Sequence, residues 1–86
     1  MKYPVYSVRD VYVGFNQPMT DINDQTAIRS FTYAINNPAN DVMHFQPKDY
    51  DLYKLGTFDT DTGRLDPEPV PVLIVSGMSV FGSEVK

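Results

Sequence analysis

The sequence predicts an α+β domain: one helix packed on a small, mostly antiparallel sheet, in β-α-β-β order with a possible extra C-terminal strand. Three observations carry this. Val and Tyr dominate the first stretch, Tyr3 to Phe15, and such residues suit a pleated surface. Ala27, Ile28, Phe31, Ala34 and Ile35 recur at i, i+3 and i+4, the spacing of a single buried helical stripe. Asp49 to Gly63 reads as an aromatic-rich strand running into a polar turn.

In the first stretch, Tyr6 and Val8 fall on one face and Val5, Val11, Val13 and Phe15 on the other. The alternation changes sense near Arg9 and Asp10. The reading is therefore a strand from about Tyr3 to Arg9, a bulge or bend, and a second extended piece ended by Gly14 and Asn16-Gln17-Pro18. Asn23 or Asp21 can cap the helix, with Asp24 in its first turn where the dipole favours an acid. Asn36-Asn37-Pro38 closes it, with Asn tolerating a left-handed cap. Arg29, Ser30, Thr32 and Tyr33 lie off the stripe.

Pro38 to Lys48 reads as a loop whose Val42, Met43 and Phe45 dock in part on the core. Asp49 to Phe58 is the central strand. Leu52 and Leu55 stand three apart and cannot share one face of a regular strand, so either both faces are partly covered or a bulge sits near Lys54. Arg64-Leu65-Asp66 begins the return strand. Pro67-Glu68-Pro69-Val70-Pro71 forbids regular ladder bonding, and Val72 to Val75 suits a last short strand. The division expected is a single domain over residues 1–75 and a flexible tail over 76–86.

The chain has 86 residues and no cysteine, which leaves a thin core without disulfides or thiolate metal sites. A thin core is often completed by self-association, and a homo-oligomer is expected on that ground. Eleven acids against seven bases give a net charge of −4. That balance argues against a protein drawn by bulk charge onto nucleic acid or an anionic membrane, while leaving room for a local basic strip. Neither a signal peptide nor a membrane span is legible, so a soluble intracellular protein is expected.

Few residue patterns suggest chemistry. Asp61-Thr62-Gly63 matches the aspartic-protease tripeptide, but Asp59 and Thr60 stand before it where an apolar strand is needed, and a polar turn is the better reading. Asp59, Asp61 and Asp66 invite comparison with a calcium loop, yet Arg64 and Val70 occupy the places of its Gly and bidentate Glu. His44 stands alone and reads as a loop hydrogen-bonder. No phosphate-cradling glycine motif is present. The chain is therefore expected to be no enzyme and to need no cofactor or metal. Nucleic-acid binding needs cations interleaved with rings. Arg9 beside Tyr6, Arg29 beside Tyr33 and Lys54 beside Tyr53 offer such pairs, with Lys48 and Arg64 at the strand ends. Solvated faces with half-buried tyrosines are the plainer reading of the same residues.

Three stretches together resemble a known family: Tyr6 to Asp10; Gly14-Phe15 through Asn23-Asp24 to Ala27-Ile28-Arg29-Ser30-Phe31; and Tyr50 to Asp59 with Thr62-Gly63. Leu55-Gly56-Thr57-Phe58-Asp59 with Thr62-Gly63 is the most specific of them. Over roughly residues 4 to 65 the chain is similar to the small non-structural protein of gokushoviruses, single-stranded DNA phages of the Microviridae. The resemblance implies a protein made in the cytoplasm of the infected bacterium. It also implies a part in DNA binding, or in the switch from viral DNA synthesis to packaging of single strands. The expected partners are single-stranded DNA and further copies of the chain. Arg9, Arg29, Lys48, Lys54 and Arg64 would meet phosphates, with Tyr6, Tyr33 or Tyr53 stacking on bases. The alternative is an adaptor for a viral replication or capsid protein, without nucleic-acid affinity, using an exposed sheet edge or Val80-Phe81.

Overall fold

A computed structural model describes residues 1–82. It is an α+β domain with one long helix on one face of a curled antiparallel sheet, as the sequence predicts. The elements are β1 (Lys2–Asp10), β2 (Gly14–Phe15), β3 (Met19–Thr20), α1 (Asp24–Asn36), α2 (Asp41–Phe45), a single 3₁₀ turn (Pro47–Asp49), β4 (Tyr50–Asp59), β5 (Leu65–Ser76) and α3 (Gly77–Val80). The sheet order is β2-β1-β4-β5, and β3 pairs with β1 beyond β2. In effect β2 and β3 form one interrupted strand along the outer edge of β1.

The second extended piece expected after Arg9 does not continue β1. The chain reverses at Val11 to Val13 and comes back as β2, with Arg9 opposite Phe15 and Asp10 opposite Gly14. Asp10 stabilises the reversal by accepting the Tyr12 backbone N–H at 2.9 Å. Asn16 N–H then bonds the Val8 carbonyl at 2.8 Å, and Ser7 Oγ donates to the Asn16 carbonyl at 2.7 Å. That bond satisfies a hydroxyl on a residue fully removed from solvent.

Asn23 is the N-cap of α1; its Oδ1 accepts the Thr26 N–H at 2.8 Å. Ala27, Phe31 and Ile35 are buried against Tyr6 and Val8 of β1, Tyr50 and Leu52 of β4, and Val80, with Ile28 partly buried beside them. Each large apolar side chain so buried contributes about 1.5–3 kcal/mol. Thr32, expected off the stripe, is buried too, and its hydroxyl is satisfied by the Ile28 carbonyl at 2.7 Å. The helix ends at Asn37 in an extended conformation, φ −89°, in place of the left-handed cap expected there. Asn40 reaches back to cover the Ala34 carbonyl at 3.1 Å, so the end of the helix is satisfied without a left-handed residue.

The expected loop from Pro38 to Lys48 contains α2, which places Met43 against the core and His44 Nδ1 3.2 Å from the Ile35 carbonyl. β4 is paired on both sides. Tyr6 faces Lys54 while Val5 faces Gly56, so Leu55 is the extra residue of a bulge, next to the predicted place. On β5 the register passes from Val72 opposite Lys54 to Pro67 opposite Gly56. Residues 68–71 have no opposite number, and the proline run breaks the ladder as expected while the strand goes on past it. The two pieces predicted around the prolines are thus one edge strand.

Residues 76–82 are packed, where a loose tail was expected from residue 76 onward. Ser76 caps α3, Val80 is 8% exposed in the core, and Asn36 clamps the segment. Asn36 Nδ2 donates to the Val80 carbonyl at 3.0 Å, and its Oδ1 accepts the Gly82 N–H at 2.6 Å. The remainder of the expected tail lies outside the described residues.

Candidate nucleic-acid interface

The register decides which side chains share a surface, because residues directly opposite one another point the same way. On the side of the sheet away from α1, one row runs Phe15, Arg9, Asp51, Ser76 across β2, β1, β4 and β5. The adjacent row runs Ser7, Tyr53, Leu73. Phe15 and Tyr53 meet edge to face, with ring centroids 5.4 Å apart and planes at 76°. Arg9 therefore lies beside two aromatic rings on a helix-free sheet surface, with the Asp51 carboxylate across from it. Phe15 and Leu73 are exposed, while Arg9 and Tyr53 are half-buried.

The other residues expected at a phosphate-binding face lie elsewhere. Lys54 points to the α1 side, where it lines a depression with Pro4, Ile22, Asn23, Asp24 and Gln25. Arg29 and Tyr33, four apart on α1, are both exposed on the helix, and Tyr33 is 61% exposed. Lys48 sits in the 3₁₀ turn before β4, and Arg64 follows the turn after it. The length of β4 puts those two ends about 30 Å apart. The five cations do not form one strip. Tyr6 is removed as a stacking ring: it is 1% exposed beneath α1, and its hydroxyl donates to Asp24 Oδ1. Burial, then the Asp24 bond and charge, hold that phenol well above the ordinary tyrosine range.

Phe15 and Leu73 are the members of this surface that the cation and ring pairings overlook. The period-two alternation that set Val5 and Phe15 on one face was the available signal for Phe15. Nothing local pairs Leu73 with Tyr53, because their opposition depends on the bulge at Ile74.

The acidic turn is closed by its own backbone and carboxylates. Asp59 Oδ1 accepts the Asp61 N–H at 2.8 Å, Gly63 N–H bonds the Asp59 carbonyl at 2.8 Å, and Gly63 takes φ +73°. The Asp61 backbone N–H, then that of Thr62, hold the Asp59 carboxyl below its usual range. Asp61 is exposed, the opposite of the dry shared carboxylate a protease needs. Among the described residues no cluster of His, Asp or Glu is placed to hold a metal ion. Nor, among the described residues, is any helix long and apolar enough to cross a membrane.

Residues 3–80 match the family described as Phage ORF5 protein. The chain belongs to that family. The match takes in every element from β1 to α3, including the C-terminal strand and the short helix that fills the core with Val80. No curated protein and no solved structure matches this Phage ORF5 chain.

Proposed function

We propose that this Phage ORF5 protein is a non-catalytic, non-structural protein of a gokushovirus-like phage. On this reading it acts in the cytoplasm of the infected bacterium and assists single-stranded genome synthesis or packaging by holding single-stranded DNA on the helix-free face of its sheet. The observation that supports the reading is the juxtaposition of Arg9 with the Phe15–Tyr53 ring pair. Bases stack on rings without regard to sequence, and a guanidinium beside the rings meets the phosphate or stacks in turn. The cation opposite Asp51 is partly balanced, which suits modest, sequence-tolerant affinity.

The test is a fluorescence-anisotropy titration of labelled oligothymidylate at low and at physiological salt. Binding should weaken steeply with salt. Arg9→Ala should lower the salt slope by about one, and Tyr53→Ala should weaken binding by about 1–3 kcal/mol. An absence of binding at low salt would remove DNA from the reading. The adaptor alternative would then take over, and the outer edge of β5, which pairs with no described strand, is the feature that favours it. Val80 is committed to the domain's own core, which leaves Phe81 as the exposed member of the Val80-Phe81 pair.

A further inference from the structure

We infer that the outer edge of β5, from Val72 to Ser76, is a docking strand for a second copy of this chain, pairing antiparallel about a two-fold axis. β5 is the last strand of the sheet, and no described backbone group bonds to its outer side. Edge strands are ordinarily guarded against pairing by prolines, charges or bulges. Here the guards are confined to one half. Asp66, Pro67, Glu68, Pro69 and Pro71 protect the first part of β5, whereas Val72-Leu73-Ile74-Val75-Ser76 has neither proline nor charge. Val72 is 43% and Leu73 54% exposed, on opposite faces of that unguarded edge.

The occupant follows from charge. The chain carries −4, so two copies repel across most approaches. Pro69 to Ser83 is its longest run without an ionisable side chain. A two-fold axis sets this strand against itself, apolar on apolar, and that is self-complementary. The prolines beside it fix the register by leaving only the segment from Val72 onward able to donate to a ladder. In such a dimer the two sheets become one, and both helix-free faces lie on a continuous surface. The pairing itself does not rest on DNA binding.

Sedimentation equilibrium of the DNA-free protein tests it. The expected mass is twice the 9.7 kDa of one chain, and added salt should leave the dimer intact or tighten it by screening the like charges. Leu73→Lys enters the interface twice and should raise the dimer Kd about tenfold or more, with circular dichroism unchanged. Tyr12→Lys, on a more exposed hairpin tip, should leave it unchanged. Should Leu73→Lys fail to fold, Ile74→Cys decides, since a two-fold axis through the middle of Val72–Ser76 sets position 74 directly opposite its own copy and the chain has no other cysteine. Mild oxidation should then link two copies through position 74. A monomer at high protein concentration overturns the inference. So does a dimer indifferent to Leu73→Lys, or one that is not cross-linked at position 74, which would include a complex held by a different surface.

Discussion

Gly56→Ala is the substitution that tests the sheet most directly. A Cβ at Gly56 would stand 2.3 Å from the Asp66 carbonyl oxygen and 2.8 Å from Pro67 Cα. Ordinary contact begins near 3.4 Å, so about 1 Å of overlap must be relieved. Both obstructing atoms are backbone, and no side chain can swing aside. The relief has to come from parting β4 and β5 where Gly56 opposes Pro67, the point at which the proline run has already broken the ladder. Overpacking of this kind costs about 3 kcal/mol, a large share of the roughly 5–10 kcal/mol that a domain of this size commands. The melting temperature should fall by about 12 °C or more. Gly63→Ala is the control. It has open space around the new Cβ and only an unfavourable φ of +73°, so it should cost about 1 kcal/mol. Urea denaturation followed by far-ultraviolet circular dichroism measures both. A Gly56→Ala protein no less stable than Gly63→Ala would refute the close approach of β5 to β4. The same contact gives a physical reason for a glycine within the Leu-Gly-x-Phe-Asp stretch.

Three further outcomes follow from the same geometry. Val80→Ala should destabilise the domain by about 2 kcal/mol in urea titrations, as a core cavity does; no effect would mean that the segment after Ser76 is loose after all. Stability should decline in alkali. Burial, followed by the nearby carboxylates of Asp24 and Asp10 respectively, raises the phenols of Tyr6 and Tyr50, so the folded state holds protons that the unfolded state releases. The stabilisation is therefore complete below about pH 10 and is lost as pH rises from there toward the folded-state values; urea midpoints between pH 8 and 11 should show the decline, and Tyr6→Phe should flatten it. In the DNA titration, Lys54→Glu with Arg64→Glu should weaken binding less than Arg9→Glu alone, although it alters twice as many cations. The reverse order would move the interface off the helix-free face.

The strand and helix periods were legible because they report burial on one side of an element. Ala27, Phe31 and Ile35 could be read as one stripe, and Leu52 with Leu55 demanded either a bulge or cover on both faces, since neither inference needs a partner to be known. What escaped depends on contacts distant in sequence. The Val11 to Val13 reversal carries valines and a tyrosine, residues that read as strand, and Asp10 bending the chain back is a local bond that competes with their propensity. The docking of residues 76–82 rests on Asn36, forty-four positions before Val80, whose amide bonds the Val80 carbonyl and the Gly82 N–H. Gly and Ser in that segment read as looseness until the clamp is known.

The candidate site was less legible than the fold for a related reason. Cations and rings adjacent in sequence were paired as if they shared a surface, but neighbours along a strand point to opposite faces. Tyr53 and Lys54 are thereby separated by the thickness of the sheet, and Tyr6 is turned under the helix while Arg9 is turned away from it. The cluster that does form, Arg9 with Phe15 and Tyr53, joins three strands and requires both the hairpin reversal and the regular pairing of Ser7 to Arg9 with Tyr53 to Asp51. The bulge accommodates one extra residue beside that pairing. With Leu55 as that residue, Tyr53 shares the face of Ser7 while Gly56 shares that of Val5, so the alternation of β1 is matched on both sides of the irregularity. Deleting Leu55 takes out the extra residue alone: Tyr53 still opposes Ser7 and Gly56 still opposes Val5 and Pro67, so the ring pair should survive on a regular β4. A Leu55 deletion that lost the sheet in urea titrations followed by circular dichroism would refute this register.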